Sequence, residues 1–324
     1  MNNDLDQNRT DINSALLVIN EILDERKESV FQIKATNTSK GYKTDWNHFI
    51  SWCSKNGYDS LPVNDEAYAI YITTLALSGY KTSTITRRMS AISQAHFVAG
   101  YCSPKTLTVR MVIAGIRRAY GIKEIGKHPL HVDMLKSILN MLPNNLKGSR
   151  DKAILLIGFS GAFRRSEVVA IDVEHLHFND TGLLIEMRKS ITNQKKAGET
   201  VVIPYGVCRN TCPVKAVQDW IKNSGIKMGP LFRSINRHGQ MYVNRLSDKA
   251  ISLILKEYVK AAGFNEEFYS SHSLRVGFVV SAAMTGKSEQ SIMAHTRLKT
   301  DRIISKYIQM AHMIQENGAI DIGL

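Results

Sequence analysis

Three clusters of cationic and nucleophilic side chains stand far apart in this chain, each beside an apolar run. "GAFRRSEVVAI" holds Arg164, Arg165 and Glu167, "SSHSLRVGF" holds His272 and Arg275, and "HTRLKTDRIISKYI" holds His295, Arg297 and Tyr307. Arginine grips a phosphate through two parallel hydrogen bonds. Two arginines, a histidine and a tyrosine would make a phosphoryl-transfer site that needs no metal. The arginines would neutralise a pentacoordinate phosphate, and the tyrosine would attack it. Each cluster also has an ordinary reading. Arg164 and Arg165 could cap the end of the preceding helix. His272 and Arg275 could be a helix edge facing water. Tyr307, at helical spacing from Ile303 and Ile304, could be core. The three clusters together, in this order, favour chemistry over the ordinary readings.

The elements that must position them are mostly helices. Residues 13–32 carry apolar positions at helical spacing, and "TNTSKGYKTDWNHFISWCSKNG" has a Ser/Thr-rich start, an amphipathic body and a glycine stop. "VNDEAYAIYITTLALSG" repeats that arrangement. In "TSTITRRMSAISQAHFVAG", Ile85, Met89 and Ile92 share one face, and Ser83, Arg87, Ser90 and Gln94 share another. Such a helix could lie on a phosphate backbone or in a major groove, or be a plain surface helix. The Gly, Lys and Pro content of "GIKEIGKHPLHV" marks a linker. Beyond it, "DKAILLIGFSGAF" reads as a buried helix, and "GLLIEM" and "TVVIPY" read as short strands about the Lys-rich turn "RKSITNQKKAGE". "GPLFRSINRHGQ" reads as a loop between helices. No internal repeat or low-complexity tract is present.

At 324 residues, 44% hydrophobic and 22% charged, the composition is that of an ordinary globular protein with room for two domains. No apolar run reaches the length of a membrane span, and the polar start is not a signal peptide. Four scattered cysteines give no disulfide framework, so a reduced, cytoplasmic protein is expected, nucleoid-associated in a prokaryote. No second ligand pair accompanies Cys208 and Cys212, so no metal site is read. The net charge of +13 points to a polyanionic partner, and it is unevenly placed. Residues 1–30 hold seven acids against three bases, whereas residues 81–127 hold nine bases against Glu124 alone. Lys81, Arg87, Arg88, Arg117 and Arg118 are the expected DNA contacts.

With these motifs in place, the sequence resembles the tyrosine recombinases, or phage-type integrases, in their two-domain, Cre-like form. "GFSGAFRRSEVVAIDVEHL" looks like the family's first box, with Arg164 as catalytic arginine and Glu167 as the acid that orients the site. "SHSLRVGF" looks like the His-x-x-Arg-x-Gly box and assigns His272 and Arg275. "IISKYI" looks like the tyrosine box, with Tyr307 as nucleophile. The match is strong over residues 130–310 and consistent in architecture over 34–120. It implies a mainly α, two-domain DNA clamp: a helical N-terminal core-binding domain and a mostly helical catalytic domain with a small antiparallel β-sheet. The boundaries expected are an acidic extension (1–33), a core-binding domain (34–121), a flexible linker (122–132) and a catalytic domain (133–324), whose tail (308–324) could dock on a neighbouring subunit or on its own domain.

The implied activity is site-specific DNA strand exchange through a 3′-phosphotyrosyl link, without metal, ATP or other cofactor. The implied partner is double-stranded DNA with paired recognition sites, bound by a homotetramer that is a monomer or weak oligomer off DNA. Two positions depart from the pattern. Ile191 stands where the family has its general-acid lysine, with Lys189, Lys195 and Lys196 as neighbours that could replace it. Leu298 stands nine residues before the tyrosine, where the family has His or Trp, and His295 could compensate. Two alternatives follow: a catalytically impaired DNA-binding member acting as a partner at recombination sites, and a type IB topoisomerase.

Overall fold

The computed structural model describes residues 36–121, 126–187, 199–297 and 307–309, with backbone alone over 36–40. The helix expected over 13–32, the turn carrying Ile191 and the three lysines, Leu298, and the tail beyond 309 lie outside the described residues. The chain forms two compact units.

The N-terminal unit contains helices α1 (Thr36–Asn56), α2 (Asp65–Leu77), α3 (Thr82–Val98) and α4 (Leu107–Tyr120). Their ends follow from local chemistry. Asn64 caps α2 by accepting the Ala67 N–H at 2.7 Å, and Asp65 and Glu66 place negative charge in its first turn. Gly57 and Gly79, both at positive φ, let the chain turn away after α1 and α2. The core is rich in aromatics: Phe49, Tyr68 and Tyr71 are fully buried and pack with Ile72, Ile85 and Ile92. On α3 the expected apolar face is the buried one.

The second unit is built about α6. Its helices are α5 (Val132–Asn140), α6 (Leu146–Ser160), α7 (Arg165–Ala170), α8 (Pro213–Ser224), α9 (Asp248–Ala261), α10 (Ser271–Met284) and α11 (Glu289–Thr296). Ala153, Ile154, Leu155 and Ile157 of α6 are fully buried, and α8 and α10 pack against this helix. Such all-round burial explains why its sequence shows a run rather than a stripe. Residues 307–309 form a helical turn.

Strands β1 (Leu176–Asn179), β2 (Gly182–Glu186) and β3 (Thr200–Pro204) form an antiparallel sheet in that order. Leu183 pairs with Ile203 and Ile185 with Val201, so all four bury one face by strict alternation. β4 (Arg233–Ile235) and β5 (Met241–Arg245) form a separate hairpin inside and just beyond the stretch read as a loop. None of its residues is fully buried, and without a buried face there is no alternation to read. β1 was missed for the same reason.

The linker expectation needs a correction over its second half. Residues 126–131 run as a strap on the catalytic unit: His128 N–H donates to the Phe268 carbonyl at 2.9 Å and Leu130 N–H to the Ser273 carbonyl at 3.0 Å. Leu130 is fully buried, and its carbonyl would stand 2.0 Å from any Cβ at Gly277. One buried leucine and a facing glycine outweigh the Gly/Lys/Pro composition. Among the described residues, no helix is long and apolar enough to cross a membrane.

Candidate active site and DNA-binding surface

The site begins where α6 ends. The chain turns through Ala162 at φ 46°, buries Phe163, and starts α7 with Arg164 in extended conformation. Glu167 closes this start. One carboxylate oxygen accepts the Arg164 backbone N–H at 2.9 Å and the other accepts the Arg164 guanidinium at 2.6 Å. Arg164 therefore opens α7 rather than capping α6, and its side chain stays half exposed. Arg165 pairs with Asp248 at the start of α9, at 3.0 Å. Burial alone would raise the Glu167 pKa. The Arg164 N–H, the Arg297 guanidinium and the Arg164 side chain outweigh it and hold the carboxyl below its ordinary value.

The second cluster lies on the first two turns of α10. Ser270 caps this helix and exchanges bonds with Ser273, which fixes the start of α10 immediately before His272. Arg275 is buried. It donates to the Ala162 carbonyl at 2.5 Å and to the Thr296 carbonyl, so it ties the α6–α7 turn to the end of α11. Burial and the nearby Arg164 lower its pKa to about 10, which leaves it cationic at neutral pH. His272 remains accessible. Crowding about its ring and the charges of Arg275 and Arg164 lower its pKa, favouring neutral imidazole near pH 7.

Between these elements lies a cleft of about 300 Å³, with Phe163, Arg164 and Arg165 on one side and Ser252 and Ser270–His272 on the other. The Ser252 hydroxyl donates to the Ser271 hydroxyl at 3.0 Å and accepts the Ser271 N–H at 3.3 Å. Arginine, neutral imidazole, hydroxyls and a helix N-terminus suit a phosphate group.

The third cluster divides. The His295 Nε2–H donates to the Ser160 carbonyl at 2.7 Å, and its ring stacks on Phe278 with centroids 4.5 Å apart. It braces α11 against the end of α6, and burial is the main cause of its lowered pKa. Tyr307 is half-buried with Ile308 against Val276, Val279, Val280 and Ile292. A methyl built on Gly126 would stand 3.9 Å from its hydroxyl, which makes no hydrogen bond to another described residue. The structure thus brings Arg164, Glu167, His272, Arg275 and His295 together and leaves Tyr307 without a bond to any of them. Lys189, Lys195 and Lys196 lie outside the described residues. Arg297, noted in sequence but given no role, donates to Glu167 at 3.0 Å.

On the N-terminal unit, Lys81, Arg117 and Arg118 are exposed, and Arg117 donates to the Thr86 hydroxyl at 3.2 Å. Arg87 is half exposed and pairs with Asp45 at 2.7 Å. Arg88 departs from the expected surface role. It is buried, 3.6 Å from Asp45, bonded to the His48 ring at 3.0 Å and stacked over Tyr80 at 4.3 Å. Its spacing from Ile85 and Ile92 already placed it on the apolar face.

This fold and this constellation define a class. Residues 129–312 match the phage integrase family, and the chain belongs to it: it is a tyrosine recombinase, an enzyme that breaks and rejoins DNA strands. Its relatives include an integrase/recombinase XerD homolog from Selenomonas ruminantium, 37% identical over 95% of this chain and 92% of that protein. Among solved structures, the fold resembles a XerH site-specific recombinase bound to a palindromic difH substrate (TM-score 0.59, 14% identity, 80% of this chain and 72% of that one). It also resembles a lambda integrase dimer bound to a COC′ core site (TM-score 0.56, 16% identity, 89% and 94%).

Proposed function

We propose that Tyr307 attacks a DNA phosphate, forming a 3′-phosphotyrosyl bond and breaking the bond to the 5′ oxygen. The observation that carries this reading is the cleft lined by Arg164 and His272, with Arg275 buried one turn further along the helix that carries His272. Arg164 and Arg275 stabilise the non-bridging oxygens as charge builds on them. Two carbonyls orient Arg275, and Glu167 orients Arg164, so little reorganisation is needed at the moment of reaction. Neutral His272 handles a proton beside them, and a lysine of the 189–196 turn protonates the leaving 5′ oxygen. The 5′-hydroxyl of a partner strand then attacks the phosphotyrosyl bond and releases Tyr307. The enzyme works in the cytoplasm as a homotetramer on two paired sites and is a monomer or weak oligomer off DNA. Lys81, Arg87, Arg117 and Arg118 hold phosphates through the N-terminal unit.

A nicked suicide substrate tests the mechanism. Cleavage loses a short fragment and strands the protein on DNA, giving a covalent band in a denaturing gel. Tyr307→Phe removes the band and retains binding. A wild-type protein that binds its selected site yet forms no band, even with a 5′-bridging sulfur that leaves without a proton, refutes the catalytic reading.

A further inference from the structure

We infer that Arg297 is a positioning residue for DNA cleavage, holding the Glu167 carboxylate that in turn fixes Arg164. This rests on the proposed role of Arg164 and extends it to a residue for which no role follows from the motif boxes. Three observations carry it.

The first is geometry. The Arg297 guanidinium donates to Glu167 Oε2 at 3.0 Å, to the Gly161 carbonyl at 3.3 Å and to the His295 carbonyl at 3.0 Å, and it stacks on Phe163 at 5.0 Å. That same Glu167 oxygen accepts the Arg164 N–H, and the other holds the Arg164 guanidinium. Arg297 and Arg164 thus share one carboxylate. The second is burial. The Arg297 side chain is 10% exposed, against 50% for Arg164. Arg164 lines the cleft, and Arg297 is not among the residues that line it. The third is backbone. Arg297 ends α11 at φ 56°, ψ 36°, the left-handed conformation that glycine adopts most easily. A side chain carried at that position, against the local preference, points to a use for the guanidinium itself.

The backbone also supplies the cleanest test. Arg297→Gly removes the guanidinium while easing the backbone, so the fold has a compensating gain that most truncations lack. Arg297→Lys keeps a charge within reach of Glu167 but loses the planar fork. We would measure covalent-adduct rates on a nicked substrate for wild type, Arg297→Gly, Arg297→Lys, Glu167→Gln and the Arg297→Gly/Glu167→Gln double variant, with DNA affinity and thermal unfolding alongside. The expected result is a roughly tenfold or larger loss for Arg297→Gly with affinity within about twofold, partial recovery in Arg297→Lys, and a double variant no slower than the slower single one.

The pH profile adds a readout that a merely structural role would not move. Arg164, Arg297 and Arg275 are the charged groups facing Glu167. Loss of Arg297 raises the Glu167 pKa, so the acid limb of the cleavage profile moves to higher pH. Wild-type rates in Arg297→Gly, or multiplying losses in the double variant, overturn the inference while the Tyr307 mechanism stands. Absence of the adduct in wild type overturns both.

Discussion

Each unit of this protein holds one carboxylate between two arginines, and the two clusters behave in opposite ways. In the N-terminal unit, Asp45 meets Arg87 and Arg88 and is itself 2% exposed; burial is the dominant influence and raises its pKa. In the catalytic unit, Glu167 meets Arg164 and Arg297 at 21% exposure, and its pKa is lowered. The composition is the same. Desolvation is the largest single influence on both; the difference is a backbone N–H at the start of α7, which joins the two arginines in outweighing it at Glu167. The first cluster fastens α1 to α3; the second leaves Arg164 half exposed at a cleft. What separates the two is whether enough donors reach the carboxylate to outweigh its desolvation.

The largest expected effect separates the two by chemistry. Arg164→Ala lowers the rate of covalent-adduct formation by about 10²–10³, as loss of one transition-state donor does, with little change in unfolding. Arg88→Ala should leave cleavage by the folded fraction intact. A matched loss of rate in both variants would dissolve the distinction.

Stability reads the same contrast in reverse. Arg88→Ala leaves Asp45 short of a partner and opens space beside His48 and Tyr80, at a cost of about 2–3 kcal/mol in urea unfolding. Arg164→Ala, at a half-exposed pair, costs under about 1 kcal/mol.

A smaller effect lies in pH. The lowered Glu167 pKa supplies stability that is present above its unfolded-state value and lost as pH falls through the folded one. The raised Asp45 pKa supplies stability that is present at low pH and lost as pH rises through its folded value. On acidification below about pH 5, wild type should therefore lose stability relative to Glu167→Gln and gain it relative to Asp45→Asn. Melting temperatures across that range decide the matter, and parallel curves would count against it.

The smallest effect falls outside both clusters. Arg118, exposed at the last turn of α4, should contribute one phosphate contact. Arg118→Ala should reduce the slope of log K against log salt by roughly 0.9 and leave unfolding unchanged. An unchanged slope would remove Arg118 from the DNA surface.

What could be read from the chain follows from these differences. Arg164, Glu167, His272 and Arg275 could be singled out because the family resemblance joins two short motifs far apart in sequence, and the structure places both at the starts of neighbouring helices. The contacts of His295 and Arg297 were not legible, because their partners, Ser160, Phe278, Gly161 and Glu167, come from other elements of the chain. Arg87 and Arg88 are adjacent and alike in type, yet one helical step separates surface from core. Helical spacing carried that distinction, and charge counting concealed it. The buried alternation of β2 and β3 was visible, whereas the exposed hairpin β4–β5 had no pattern to show.

The strap over residues 126–131 determines where the catalytic unit can be separated from the rest. A fragment begun at residue 133, as composition suggests, would strip Leu130 from its seat, remove the strap N–H groups that donate to the Phe268 and Ser273 carbonyls, and uncover α10 at Gly277. A fragment begun at Gly126 keeps all of these. Limited proteolysis should follow the same rule, with protection of peptide bonds from His128 onward for as long as the catalytic unit remains folded.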